Sequence, residues 1–166
     1  MNKAVFLDRD GTIIEDKNYI CNCSEVVFLP NVIKTLRLFQ EKNYLLIVIS
    51  NQSGVGRGYF SECDVEKINK YINLELSKFG VHILQFYYCP HYWRGQREMH
   101  NKMCSCRKPS PGLIMQAAHE HNIDLYNSYM FGDKESDVMA GLNAGINKSY
   151  LIDDIHSWQY YANRIF

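Results

Sequence analysis

The chain has 166 residues, and its 18 Lys plus Arg balance 18 Asp plus Glu to a formal net charge of zero. That balance excludes a global field drawing the protein to nucleic acid or an anionic membrane, and the length suits one domain, residues 1–166, built around a single sheet. No apolar run is long enough for a secretory signal or a membrane span, so a cytoplasmic protein is expected, and its six cysteines read as metal ligands and free thiols rather than disulfides.

In chain order, the short β-rich run Ala4–Leu7 predicts a first strand. Val32, Ile33, Leu36 and Phe39, following Pro30, have helical spacing and predict a helix over 32–41. Leu45–Ser50 predicts a second strand, and Val65, Ile68, Ile72 and Leu76 predict a helix over 61–79. A third strand is expected at Leu84–Tyr88, followed by a helix from Pro111 to Asn122 that places proline at its favoured first position. Ser128–Phe131, a helix over Ser136–Ala144 closed by Gly145, and Lys148–Ile152 complete the series. Alternating strands and helices predict the α/β class with a doubly wound parallel sheet. Two long stretches, Thr12–Pro30 and Tyr92–Lys108, read as irregular, and long loops in a compact domain are usually functional. The pairs Tyr87-Tyr88 and Tyr160-Tyr161 read as packing.

Four polar segments fall at strand ends, where an open parallel sheet binds its ligands. Asp8-Arg9-Asp10-Gly11-Thr12 follows the first strand. Two carboxylates at spacing two suit a hard cation such as magnesium (Mg2+), and one of them can attack phosphorus; alone, the segment also reads as an acidic turn. Ser50-Asn51-Gln52-Ser53-Gly54 follows the second strand with hydroxyl, amide and N–H donors for a phosphoryl group, or simply forms a polar loop. Arg107-Lys108-Pro109 supplies fixed positive charge, or a solvated basic pair. In Gly132-Asp133-Lys134-Glu135-Ser136-Asp137, Asp133 can complete a magnesium site with Asp8, and Lys134 can meet substrate phosphate. A helix cap is the competing reading for Asp133, and Asp137 fills that role or stands behind the metal.

Cys89-Pro90-His91 and, twelve residues later, Cys104-Ser105-Cys106 form a C-x-H and C-x-C set that suits a closed tetrahedral zinc (Zn2+) site. The intervening segment, with Arg94, Gly95, Gln96, Arg97, Glu98 and Asn101, is polar and gains from a metal staple. Cys21, Cys23 and Cys63 read as incidental thiols.

Together DRDGT, SNQSG, RKP and GDKESD resemble, in order, the motifs of the haloacid dehalogenase-like superfamily. That resemblance implies Asp8 as nucleophile, Asp10 as general acid and then base, and Ser50 and Lys108 as stabilisers of the phosphoryl group. It implies magnesium held by the Asp8 carboxylate, the Asp10 carbonyl and Asp133. More narrowly, FLDRDGT, NQSGVGRG, YYCPH, CSCRKPSPG and MFGDK resemble the D-glycero-D-manno-heptose 1,7-bisphosphate 7-phosphatases, near-capless enzymes with a zinc loop. The implied activity removes the C7 phosphate of a small-molecule sugar phosphate to leave heptose 1-phosphate. Asp16, Lys17, Asn18, Tyr19, Asn51, Gln52, Ser53, Arg107 and Lys134 are the implied substrate contacts. The chain departs from that pattern with Ser50 in place of threonine and Asn18 in place of a common glycine. Histidinol-phosphate phosphatases share these motifs but carry a shorter gap between the zinc-ligand pairs. A non-catalytic zinc-stapled binding module is expected to lack Asp8, Asp10, Lys108 or Asp133, and all four are present. A nucleic-acid end phosphatase calls for a basic track, which zero net charge does not supply. A monomer without nucleic-acid or membrane partners is expected.

Overall fold

The computed structural model describes residues 1–94 and 103–166. Five strands, β1 (Lys3–Leu7), β2 (Tyr44–Asn51), β3 (Gln85–Cys89), β4 (Tyr129–Gly132) and β5 (Lys148–Leu151), make one parallel sheet in the order β3-β2-β1-β4-β5. All five expected strands are present, within two residues of their expected ends. The chain winds outward from β1 through β2 to β3, then returns to place β4 on the other side of β1. The topological switch point therefore lies between β1 and β4, and a crevice opens there at the strands' carboxyl ends.

The helices are α1 (Val32–Glu41), α2 (Ser53–Arg57), α3 (Glu62–Ser77), α4 (Gly112–Glu120), α5 (Glu135–Asn143) and α6 (Trp158–Ile165). Pairing of Val5 with Leu46 and of Leu7 with Val48 turns these four side chains, with Tyr129 and Phe131, toward one face. There they meet Val32, Leu36 and Phe39 of α1, Ile68 and Ile72 of α3, and Trp158 and Tyr161 of α6. Ala4, Phe6, Ile47, Ile49 and Met130 face the opposite way, onto Leu113, Ile114 and Ala117 of α4 and Ala140 of α5. Burial on both faces explains why the strands read as continuous apolar runs.

Local chemistry sets the helix ends. Ser61 caps α3 through a reciprocal pair, its Oγ accepting from Asp64 N at 3.2 Å while Ser61 N donates to Asp64 Oδ2 at 2.8 Å. Pro111 stands just before α4 instead of inside it, and the helix ends at Glu120, short of Asn122. Two helices depart from the sequence expectation. α2 contains two glycines in five residues and draws on tertiary support, including a bond from Gly56 N to Pro90 O at 3.0 Å. α6 lies in the tail; it is capped by Ser157, and Trp158, Tyr161 and Ala162 form its buried side. Trp158 is 1% exposed, and its Nε1 donates to Thr12 O at 2.7 Å, tying the tail to the turn beyond β1. The 12–30 stretch also packs, burying Ile13, Ile14 and Ile20 and holding a 3-10 turn at Cys23–Glu25. Among the described residues no helix is long and apolar enough to cross a membrane.

Candidate active site

Asp8 leaves the end of β1 with its N–H bonded to Phe131 O of β4 at 2.9 Å, so its carboxylate sits at the switch point, 6% exposed. Lys108 Nζ lies 2.6 Å from Asp8 Oδ1 and 2.7 Å from Asp137 Oδ1, and donates to Ile49 O at 2.6 Å. Asn51 clamps the lysine's backbone from both sides, accepting from Lys108 N at 3.1 Å and donating to Lys108 O at 3.2 Å. Burial pushes the Asp8 carboxyl up to about 7, with Lys108 pulling it down and Asp137 and Asp10 adding to the rise. Burial alone would lower the Lys108 ammonium, but Asp8 and Asp137 outweigh it and raise the pKa, so the ammonium stays charged.

Asp133 follows β4, and Asp8, Asp133 and Asp137 offer carboxylate oxygens within 4.8 Å of one another. Asp133 Oδ1 is buried without a hydrogen-bond partner. Gly11, at φ 80°, makes room for this side chain: a Cβ there would lie 2.4 Å from Asp133 Oδ2. An orphaned carboxylate oxygen beside two further carboxylates, all partly or wholly desolvated, fits a hard divalent cation such as magnesium. The structure gathers Asp137 beside the expected Asp8 and Asp133 carboxylates, while the Asp10 side chain, of which only the carbonyl was expected at the cation, turns elsewhere.

Asp10 faces a buried polar network. Arg9, 1% exposed, donates through Nε to Asp10 Oδ2 and through NH2 to Asp10 Oδ1, each at 3.1 Å. The same guanidinium reaches Asn69 Oδ1 of α3 and Gln52 Oε1, again at 3.1 Å. Gln52 Nε2 then donates to Asp10 Oδ2 at 2.9 Å and to Ser50 Oγ at 2.6 Å. Fixed rotamers and satisfied donors hold Ser50 and Asp10 in one relative geometry. Arg9 is a site residue that sequence reasoning passed over; its position between two motif aspartates was the available signal.

Of these groups Asp8, Arg9, Asp10, Asn51, Gln52, Lys108 and Asp137 line a cleft of about 430 Å3, within the range of small-molecule sites, while Ser50 and Asp133 stand behind that lining. Ser53, Asp16, Asn18, Tyr19, Arg107 and Lys134 also line it. Asp16 Oδ2 and Lys134 Nζ form an ion pair at 3.3 Å, and Lys134 lies 3.6 Å from Asp133. Asn18 and Tyr19 adopt left-handed backbone, φ 55° and 65°. Asparagine tolerates that region better than most residues, which explains how Asn18 fills a position where glycine is common. Lys17 turns away instead, its Nζ on Glu25 O at 3.0 Å and 3.6 Å from Glu15. Arg57 and Ser136, which the sequence reading did not single out, also line the cleft.

At the end of β3, Cys89, His91, Cys104 and Cys106 bring one ligand atom each within 4.8 Å of the others. The Sγ atoms of Cys89, Cys104 and Cys106 lie 3.0–3.4 Å apart, and His91 Nδ1 is 3.2 Å from Cys106 Sγ. Burial pushes the Cys89 thiol up, as does its hydrogen bond with Cys106. Three thiols and an imidazole facing one point fit a tetrahedral zinc ion, which would take the sulfurs as thiolates. The segment 95–102, including Gly95, Gln96, Arg97, Glu98 and Asn101, lies outside the described residues. Of the other cysteines, Cys21 and Cys63 are exposed and Cys23 is half-buried.

A parallel sheet with a buried lysine among three aspartates at its switch point defines a phosphatase of the HAD-like class. Residues 105–153 match the family described as HAD-hydrolase-like. A putative HAD-like phosphatase from Mesorhizobium loti superposes with a TM-score of 0.88 at 32% identity, over 92% of this chain and 73% of that one. The D,D-heptose 1,7-bisphosphate phosphatase from B. bronchiseptica, solved with magnesium and phosphate, shares the fold with a TM-score of 0.82 at 22% identity, over 98% and 97% of the two chains. The D-glycero-beta-D-manno-heptose-1,7-bisphosphate 7-phosphatase of Haemophilus ducreyi is 44% identical over 151 residues, 90% of this chain and 82% of that protein. The corresponding alpha-anomer enzyme of Photorhabdus laumondii is 39% identical over 93% and 84%. The chain belongs to the D-glycero-D-manno-heptose-1,7-bisphosphate 7-phosphatase family.

Proposed function

We propose that the protein removes the C7 phosphate of D-glycero-D-manno-heptose 1,7-bisphosphate, releasing heptose 1-phosphate. The observation that carries this reading is Lys108 Nζ between Asp8 and Asp137 at the switch point, beside the orphaned oxygen of Asp133. Asp8 attacks phosphorus; its carboxylate oxygen forms the new bond as the bond from phosphorus to the C7 oxygen breaks, and Asp10 gives that oxygen its proton. In the second half Asp10 takes a proton from water, which attacks the aspartyl-phosphate, breaks its O–P bond and restores the Asp8 carboxylate. Lys108 and Ser50 hold the phosphoryl oxygens, and Arg9 and Gln52 hold Asp10 and Ser50 in register. The Asp8 carboxylate, the Asp10 carbonyl and Asp133 would hold magnesium, which neutralises the charge of the phosphoryl group when bound. Cys89, His91, Cys104 and Cys106 would hold zinc as a structural staple. Asp16, Asn18, Tyr19, Ser53, Arg107 and Lys134 supply sugar and phosphate contacts, Lys17 is turned onto Glu25 and drops out of the expected set, and the side chains of Asn51 and Gln52 act largely by positioning Lys108 and Asp10.

The test is phosphate release with magnesium from the α- and β-anomers of the heptose bisphosphate and from histidinol phosphate, compared as kcat/KM. A strong heptose preference is expected, and the better anomer assigns the reaction to one of the two named branches of relatives. A preference for histidinol phosphate would overturn the proposal.

A further inference from the structure

The cleft carries five cationic side chains, and their partners divide them. Lys108 lies between Asp8 and Asp137, Arg9 is bonded to Asp10, and Lys134 is paired with Asp16 and Asp133. Arg57 and Arg107 remain, and among the described residues neither has a carboxylate within ion-pair reach. Arg107 lines the cleft next to Lys108 in sequence, and its NH1 donates to His91 O at 3.5 Å. Arg57 ends α2 on the cleft wall, and no expected role accounts for it.

The surroundings of Arg57 are organised without neutralising it. Its guanidinium carbon lies 3.6 Å from the ring centroid of Tyr92 and 5.9 Å from that of Tyr19. Tyr19 is braced in turn by Tyr59, edge to face at a centroid separation of 4.9 Å. Stacking on tyrosine fixes the plane of a guanidinium without using its in-plane N–H groups, of which the Tyr59 hydroxyl engages part here. One of those groups, Nε, is buried without a hydrogen-bond partner. A charged fork, its plane fixed, with an unmet donor on a small-molecule cleft is the chemistry that takes a phosphate or carboxylate in two parallel bonds.

The proposed reaction involves a substrate with two phosphates, and Lys108 lies with the nucleophile, where the transferred one must be. We infer that Arg57, stacked on Tyr92, anchors the second, non-transferred phosphate of the sugar bisphosphate and so selects bisphosphates over monophosphates. The inference rests on the proposed function. It also gives the cysteine cluster a part in recognition, because Tyr92 directly follows His91.

The experiment compares kcat/KM for heptose 1,7-bisphosphate and heptose 7-phosphate in the wild type, Arg57→Gln and Arg57→Lys, with thermal melting as the folding control. The wild type is expected to prefer the bisphosphate. Arg57→Gln is expected to cut that ratio roughly 10- to 100-fold, the scale of one charge-assisted bidentate contact, with the monophosphate rate nearly unchanged. Arg57→Lys, which keeps the charge but loses the fork and the stack, is expected to fall between. A wild type that prefers the bisphosphate, with an Arg57→Gln variant that keeps the full ratio, overturns the anchor and leaves the proposed reaction standing. Equal loss on both substrates also overturns it, since that marks a structural role. A wild type that prefers histidinol phosphate overturns the reaction itself.

Discussion

The crevice at the end of β1 and the cysteine cluster at the end of β3 each gather several ligating side chains, but they are held in different ways. In the crevice nearly every group hangs from the end of a regular element: Asp8 from β1, Ser50 from β2, Asp133 from β4 and Asp137 from α5, with Asn69 of α3 bracing Arg9 from behind. Their positions follow from the sheet and its buried hydrogen bonds, so the geometry stands before a substrate arrives. In the cluster only Cys89 lies on a strand; His91, Cys104 and Cys106 lie in connecting segments, and Cys104 and Cys106 pack only partly against the core. One region is organised by the fold, and the other helps to organise the fold. Catalysis and loop stability should therefore separate under substitution.

The largest separation is expected at Asp8, the proposed nucleophile. Asp8→Asn removes the attacking charge while keeping shape, and should lower kcat roughly 10,000-fold or more with zinc content and melting temperature close to wild type. Steady-state kinetics beside elemental analysis read both, and turnover near the wild-type value would sink the assignment. Lys108→Met should damage both chemistry and fold, because it leaves Asp8 and Asp137 buried without their shared cation. A stability loss of about 3–5 kcal/mol is expected in urea denaturation, together with a fall in turnover of roughly 100-fold or more. A variant as stable as the wild type would show that the buried pair is far better solvated than the 2.6 Å contact implies.

On the other side of the comparison, Cys104→Ser should leave the crevice chemistry intact and loosen the cluster. The purified variant is expected to lose most of its zinc, to melt at lower temperature, and to show a KM raised roughly tenfold with a smaller change in kcat. A matching collapse of kcat with KM unchanged would mean that the two regions are one structural unit after all.

How legible these regions were in the sequence follows from the same contrast. The sheet could be read because strands buried on both faces have no solvent side to interrupt their apolar runs, and the motif aspartates could be placed because strand ends have a fixed address. The C-x-H and C-x-C spacing singled out four side chains that the structure brings together around one point. What escaped was what depends on tertiary partners. α2, rich in glycine, has poor intrinsic helicity and is held by Pro90, and the buried network that holds the Asp10 carboxylate joins Arg9 to Gln52 from a separate segment. Asn69, a polar residue on the buried side of α3, is explained only by its partner Arg9, which is distant in sequence. α6 is a different case, since Ser157 followed by Trp158, Tyr161 and Ala162 is a readable capped helix that no expected element covered.

The smallest effect tests where the two regions touch. Gly56 of α2 donates to Pro90 O at 3.0 Å, and a Cβ on it would come within 2.8 Å of Tyr92 N and 2.9 Å of Pro90 O, both backbone atoms that cannot swing aside. Alanine is favoured over glycine in a helix by up to about 1 kcal/mol, against overpacking that costs about 1–3 kcal/mol, so Gly56→Ala should be destabilising by no more than about 2 kcal/mol. All four cluster ligands remain, so zinc should stay bound. The displaced backbone carries Tyr92, however, and with it the surface on which Arg57 is stacked. Preference for the bisphosphate over the 7-phosphate should fall a few-fold while turnover of the 7-phosphate holds, because the nucleophile lies on a different strand, outside this contact. Unchanged preference at full zinc occupancy would show that cluster and crevice are neighbours that do not communicate, and that the influence of the zinc loop on recognition must pass through Arg107 alone.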